Sequence, residues 1–196
     1  MKKLFLLIFA CFIFTSCDFL PIITEVIIAI ASQNQEAPNS DSSNSSSKEE
    51  TIPSSKEDVP AKALEYAYKY CHADTKYQLG GQDKLRTIKV DCSGLVINCY
   101  LYAIEGTKFT LPFSDTTSAL LYSTYTTRVE SPRPGDLIFM GPENSKKIDH
   151  VGIFVKKEGN KIWFIDATES YNVKERYYES TNKKIKGFGI MRLENK

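Results

Sequence analysis

The sequence predicts an α+β fold, with N-terminal helices packed on a central antiparallel sheet. Two observations carry the α+β assignment. Segments with helical spacing of apolar residues come first, between Pro60 and Tyr125, and short strand-like runs bounded by turn residues follow Pro134-Gly135. With 42% hydrophobic and 25% charged side chains in 196 residues, the composition is that of an ordinary globular protein with one core.

The chain opens with Met1-Lys2-Lys3 and an apolar run from Leu4 to Phe14, the layout of a secretion signal. The run ends at Phe14-Thr15-Ser16-Cys17, which resembles a bacterial lipobox and makes Cys17 the expected lipidation site, with residues 1–17 as the signal. Two other readings stay open: an uncleaved helix from Leu4 to Leu20, barely long enough to span a bilayer, or cleavage after Ala29-Ile30-Ala31. Residues 18–59 read as an apolar patch followed by a tether. From Ser32 to Val59 the chain is rich in Ser, Asn and Glu with almost nothing to bury. A coil of that length has a typical reach of roughly 30 Å.

The folded part is expected over residues 60–196. Asp58-Val59-Pro60 reads as a cap followed by a proline in the first helical turn, and Leu64, Ala67, Tyr68 and Cys71 share one face of a helix from about Ala61 to His72. Gly80-Gly81 breaks the chain. A second helix is expected from Cys92 to about Ile104 and a third around Thr116 to Tyr125. Strands are expected at Asp136–Met140, His150–Val155, Lys161–Asp166 and Gly187–Arg192. Residues 60–196 carry 21 basic and 16 acidic side chains, a net of +5 that suits an anionic polymer as partner.

Three cysteines fall in the folded part, and an odd thiol in an exported protein calls for an explanation, of which chemistry is one. Cys92 and Cys99 on one helix stand about 10 Å apart, too far for a disulfide. A Cys71–Cys99 bridge stays possible, with burial as small apolar side chains the other reading. Cys92 follows Asp91 and opens an apolar helical segment, so its sulfur sits at a helix N-terminus, where exposed amides favour an anion and could hold an oxyanion. Only His72 and His150 can serve as a base in the folded part. His150 begins Val151-Gly152-Ile153-Phe154-Val155, whose alternation turns Val151, Ile153 and Val155 to the core and leaves the imidazole on the other face, beside a glycine. His72 ends a helix and reads as a cation at a helix C-terminus. The orienting acceptor for His150 is read as Asp166, which a hairpin through Gly159-Asn160 lays beside it; Asp149 points to the opposite face.

At four places in order the chain resembles the NlpC-type family of bacterial cell-wall cysteine endopeptidases: Tyr77-Gln78-Leu79-Gly80-Gly81, Asp91-Cys92-Ser93-Gly94-Leu95-Val96, Pro134-Gly135-Asp136-Leu137-Ile138-Phe139 and His150-Val151-Gly152-Ile153-Phe154. The resemblance implies a papain-like core and cleavage of peptidoglycan stem peptides, typically at the γ-D-glutamyl bond to the diamino acid. It further implies that Tyr77 lies beside the thiol and helps the oxyanion site, and that Asp91 and Ser93 shape the substrate site. A capping role for Asp91 is the alternative. Asp166 departs from the pattern, which has a histidine or neutral polar group there; a carboxylate also favours a thiolate–imidazolium pair. Two other functions stay in view, a non-catalytic wall-binding lipoprotein of the same fold and a cysteine amidase or acyltransferase. The chain has no cysteine–histidine cluster at zinc spacing and no glycine-rich phosphate loop, so no cofactor, metal or nucleic-acid partner is expected, and the protein is read as a monomer at a membrane facing the periplasm or cell wall.

Overall fold

A computed structural model describes residues 51–71, 75–82 and 89–196; the proposed signal, Cys17, most of the tether and His72 lie outside them. The described residues belong to one unit, Glu49–Lys196. Helix α1 spans Val59–Tyr70 and helix α2 spans Cys92–Ala103. A single helical turn, α3, at Ser118–Leu120 widens directly into a π turn at Leu121–Tyr125, so the third helix expected at 116–125 is short and irregular. Asp58 precedes α1 as expected, but its carboxylate accepts from the Ser55 N–H and hydroxyl instead of from the helix.

The strands are β1 (Lys76–Tyr77), β2 (Lys89–Val90), β3 (Phe109–Thr110), β4 (Thr126–Val129), β5 (Leu137–Met140), β6 (His150–Glu158), β7 (Lys161–Thr168), β8 (Asn172–Glu179), β9 (Ile185–Met191) and β10 (Glu194–Asn195). Six of them form an antiparallel sheet in the order β4-β9-β5-β6-β7-β8, while β1 pairs in parallel with β2 and β3 antiparallel with β10. The architecture is α+β, as expected. Strands β4 and β8 were not foreseen: Asn172-Val173-Lys174-Glu175-Arg176-Tyr177-Tyr178-Glu179 is polar along most of its length, because β8 is an edge strand with charged groups on both faces.

The sheet has a thick side and a thin side. On the thick side α1 packs on α2 and both lie on the sheet, α2 against β6 and β7. Val59, Ala63, Ala67 and Tyr70 of α1 and Leu95, Val96, Cys99 and Tyr100 of α2 meet Leu137, Phe139, Val151, Ile153 and Ile165 there. Helix α2 is buried continuously from Gly94 to Tyr100, which explains its apolar composition all round. On the other side, Ile138, Met140, Phe154, Ile162 and Phe164 make a smaller cluster, covered in part by Tyr178, Ile185 and Phe188.

The segment Pro134-Gly135-Asp136 locks α1 to the sheet. Gly135 has φ +94°, and a Cβ there would stand 1.9 Å from the Pro60 carbonyl oxygen, so the approach of the strand to the start of α1 requires glycine. Its N–H donates to Phe154 O, and the Tyr100 hydroxyl donates to its carbonyl. Cys71, Cys92 and Cys99 are all free thiols, Cys99 fully buried, so the possible Cys71–Cys99 bridge is not formed. Among the described residues no helix is long and apolar enough to cross a membrane.

Candidate active site

Cys92 owes its place to Asp91. Asp91 is extended (φ −98°, ψ −173°) and caps α2: Oδ1 accepts the Gly94 N–H at 2.7 Å and the Ser93 hydroxyl at 3.0 Å, while Oδ2 accepts the Gly80 N–H at 2.8 Å. The capping alternative thus describes its geometry, with both oxygens engaged inside the chain. Gly94 is forced by the same packing, since a Cβ there would meet the Gly81 carbonyl oxygen at 2.0 Å. The double-glycine segment therefore presses against the first turn of α2 and holds Cys92, half-buried, as its first residue.

His150 begins β6, with Val151, Ile153 and Val155 turned into the main core as the alternation predicts. Its Nε2 lies 2.6 Å from Asp166 Oδ2, which leaves Nδ1 as the nitrogen for the thiol, and Cys92 is near enough to act with Asp166 on the charge of the ring. Gly152 is the register neighbour that makes room: a Cβ would lie 2.8 Å from Ile165 O and 3.1 Å from Asp166 Cβ. The three residues Cys92, His150 and Asp166 are thus brought together in the order thiol, imidazole, carboxylate. Asp149 is exposed and does not contact the imidazole as an acceptor.

The charges in this row support one another. Burial by itself lowers the His150 pKa, but the hydrogen bonds to Asp166 and Cys92 outweigh it and push the imidazole up to about 10. Burial likewise raises the Asp166 carboxyl, and the bonds from His150 and Arg176 overcome that and hold it below the ordinary carboxylate range. The arrangement favours an imidazolium beside an ionised carboxylate.

Arg176 is the residue that the sequence reading missed. From β8 its Nε donates to Asp166 Oδ1 at 2.8 Å and its Nη2 to Oδ2 at 2.5 Å, a bidentate grip on a carboxylate that is 1% exposed. Nothing in the sequence gave the register that places it: Asp166 pairs with Lys174, and Arg176 reaches it from the diagonal position.

Tyr77 and Ser93 also stand by the thiol. Burial first, then the neighbouring Cys92 and Asp91, raises the Tyr77 phenol, so its ring lies in the field of the site. Its N–H is held by Asn172 Oδ1 at 3.0 Å, from a residue in the left-handed region (φ +57°). One cavity adjoins His150 and a second adjoins the residues on either side of Cys92. The first, of about 290 Å³, has His150, Asp149, Thr168 and Arg176 in its wall. The other, of about 220 Å³, is walled by Asp91, Ser93, Gly94, Asp115 and Thr116, and the Thr116 hydroxyl oxygen is buried there without a hydrogen-bond partner. Among the described residues no group of three or more His, Cys, Asp or Glu could hold a metal ion.

A helix start carrying a thiol, set against a histidine at the head of an antiparallel strand, defines a protein of the papain-like α+β class. The NlpC/P60 family model matches residues 74–191, more than half of the sequence, and the chain belongs to that family. The family supports a cell-wall hydrolase or a related fold, and its members are generally cysteine peptidases that act on peptidoglycan. Among solved structures the chain is similar to one described as similar to a lipoprotein of the NLP/P60 family, from Staphylococcus aureus subsp. aureus Mu50, with 22% identity over 76% of this chain and 45% of that one, at a TM-score of 0.47. It is also similar to Ly7917, with 10% identity over 67% of this chain and 62% of that one at a TM-score of 0.48, and to Ly7917 with the hydrolyzing product of MDP, at 13% identity and 0.45 with the same coverage. The chain spans less than two thirds of the length of each of these. No curated protein matches it.

Proposed function

We propose that this protein is a cysteine endopeptidase that cleaves the stem peptides of peptidoglycan, at the γ-D-glutamyl bond to the diamino acid, with Cys92 as nucleophile, His150 as general acid and base, and Asp166 as the acceptor that orients the imidazole. One observation carries the reading: a single imidazole, that of His150, bonds at Nε2 to a buried carboxylate and stands under the influence of a cysteine at a helix N-terminus. The bond cleaved comes from the family resemblance.

In this mechanism the Cys92 thiolate attacks the scissile carbonyl carbon, and the oxyanion forms beside the first backbone amides of α2 and the Tyr77 hydroxyl. The His150 imidazolium gives its Nδ1 proton to the departing amine, leaving a thioester on Cys92. A water then attacks that thioester as neutral His150 takes its proton, and the product leaves as a free acid. Ser93, with Asp91 behind it, shapes the cavity on the side of the α2 start. The protein is further proposed to be exported and lipid-anchored at Cys17, with residues 18–59 as tether and 60–196 as peptidase domain.

Incubating the purified protein with muropeptides and reading the products by mass spectrometry tests this. Cleavage to a free acid, lost in Cys92→Ala and His150→Ala, is the expected result. An amine adduct in place of the acid marks an acyltransferase, and an unchanged rate in Cys92→Ala overturns the assignment. Fatty-acid labelling lost in Cys17→Ala is the matching test of the anchor.

A further inference from the structure

We propose that Arg176 is a positioning residue for the reacting pair: gripping both oxygens of Asp166, it fixes the carboxylate so that Oδ2 faces His150 Nε2. The inference rests on the reading of Cys92 and His150 given above, and goes beyond it by assigning a fourth member of the row on a strand that the family motifs do not include.

The geometry makes the case. Asp166 is 1% exposed, too buried for water to orient it, and a buried carboxylate with one partner is free to turn about its last torsion. Arg176 removes that freedom, because Nε and Nη2 meet Oδ1 and Oδ2 separately, a fork that defines the plane of the carboxylate. The guanidinium is itself held. It lies 4.9 Å from the Phe164 ring centroid, and Nη1 donates to the Tyr178 hydroxyl at 3.1 Å. Oδ2 thus receives both Arg176 and His150, and the position of one bond fixes the direction of the other.

The chain's departure from the family pattern at Asp166 then has a physical account. A bare carboxylate buried beside the imidazole would carry a full negative charge in a poorly solvated place. Paired with a guanidinium it presents a nearly neutral, fixed acceptor, which is what a neutral polar side chain supplies. The other charged and titratable groups around Asp166 are His150 from β6, Lys174 as its register partner on β8, and Cys71 at the end of α1, whose thiol is raised by burial first and by Glu175 and Asp166 after it. None of these bridges both oxygens. Arg176 also forms part of the cavity wall beside His150, so the competing role is direct contact with a substrate anion.

Two measurements on the whole protein decide between these roles: the titration of the Asp166 carboxyl by carbon NMR, and the rate at which iodoacetamide alkylates Cys92 near pH 6, located by mass spectrometry. Neither needs a cell-wall substrate. In Arg176→Met the Asp166 midpoint should rise and the alkylation of Cys92 should slow roughly tenfold; Arg176→Lys, which keeps charge but lacks the fork, should fall between. In an Asp166→Asn background Arg176→Met should change the rate by less than about twofold, since its route of action is gone. An equal loss in both backgrounds, or an Asp166 midpoint that does not move, overturns the proposal; if Arg176→Met does not fold, Arg176→Lys carries the same two readouts. An alkylation rate unchanged in His150→Ala would instead sink the reading of the Cys92–His150 pair, while the carboxyl titration would still report on Arg176.

Discussion

The two faces of the central sheet are built from alternate residues of the same strands and do opposite work. On β6, Val151, Ile153 and Val155 enter the main core, while His150 and Gly152 turn to the thin side, beside the carboxylate of Asp166. On β7, Ile165 and Ala167 are core and Asp166 is not, although all three are buried. The thick side gains its stability from apolar area removed from water. The thin side spends some of that stability on a buried row of charge, and a site of this kind is tolerable only where a rigid scaffold holds the strands that carry it. Mutations should therefore separate by where they fall: truncations in the apolar core lower stability and leave the reaction, whereas changes in the row of Cys92, His150 and Asp166 act first on the reaction.

Cys92→Ala makes the largest break. Losing the proposed nucleophile should lower turnover of the proposed stem-peptide substrate by about 10⁴-fold or more, equivalent to roughly 5.5 kcal/mol in the barrier, with a melting temperature close to that of the parent. Kinetics and a thermal melt on the same sample check both halves, and a large fall in melting temperature would show the faces are not separable at the thiol. Leu95→Ala, three residues along the same helix and fully buried, should do the reverse. It should cost about 2–5 kcal/mol in urea unfolding and leave the activity of the folded fraction within a few-fold.

Asp166→Asn sharpens the comparison through pH. His150 in the folded protein titrates near 10 against an ordinary 6.5, so its stabilisation is fully present below about pH 6.5 and fades as pH rises towards 10. Asp166 has the opposite sign, its contribution being present above its ordinary 3.8 and lost as acid protonates it. The parent should exceed Asp166→Asn in stability most between roughly pH 5 and 6.5, with the gap closing on either side. Turnover should fall about 100-fold, and the alkaline limb of the pH–rate profile should move down from about 10, because the carboxylate that raises His150 is gone. An alkaline limb that stays in place would remove Asp166 from the site. Gly152→Ala comes next in size. Its new methyl meets the Ile165 carbonyl at 2.8 Å and Asp166 Cβ at 3.1 Å, so the strands must part by a few tenths of an ångström, at about 1–3 kcal/mol. If stability falls while the pH profile is unchanged, Gly152 serves packing alone.

These contrasts also mark what could be read in advance. The alternation of β6 announced which way His150 points, because a period of two is a property of the strand itself. The Asp91-Cys92 pair announced a helix start, because a cap is a local structure. Arg176 and Asn172 were invisible for the converse reason. Their partners, Asp166 and Tyr77, lie 10 and 95 residues away, and the pairing depends on the register of an edge strand with too few apolar residues to reveal itself as one. The short third helix was overestimated because Thr117 caps one turn and the chain then widens at Leu121 towards β4, a choice made by packing and not by propensity.

The smallest effect is expected at the far end of β6, and it tests whether the contrast belongs to the faces or to any charged residue on the strand. Lys156 Nζ lies 3.2 Å from Glu158 Oε1, but the two side chains are 51% and 63% exposed, so water and salt compete for both. An exposed pair of this kind contributes about 0–0.5 kcal/mol. Lys156→Ala should accordingly shift urea stability by no more than that, shrink further at high salt, and leave both the rate and its pH dependence alone. A change of the pH profile here, six residues along the strand from His150, would mean that the field of the site extends well past the buried row, and the assignment of its charges to Asp166 and Arg176 alone would have to be given up.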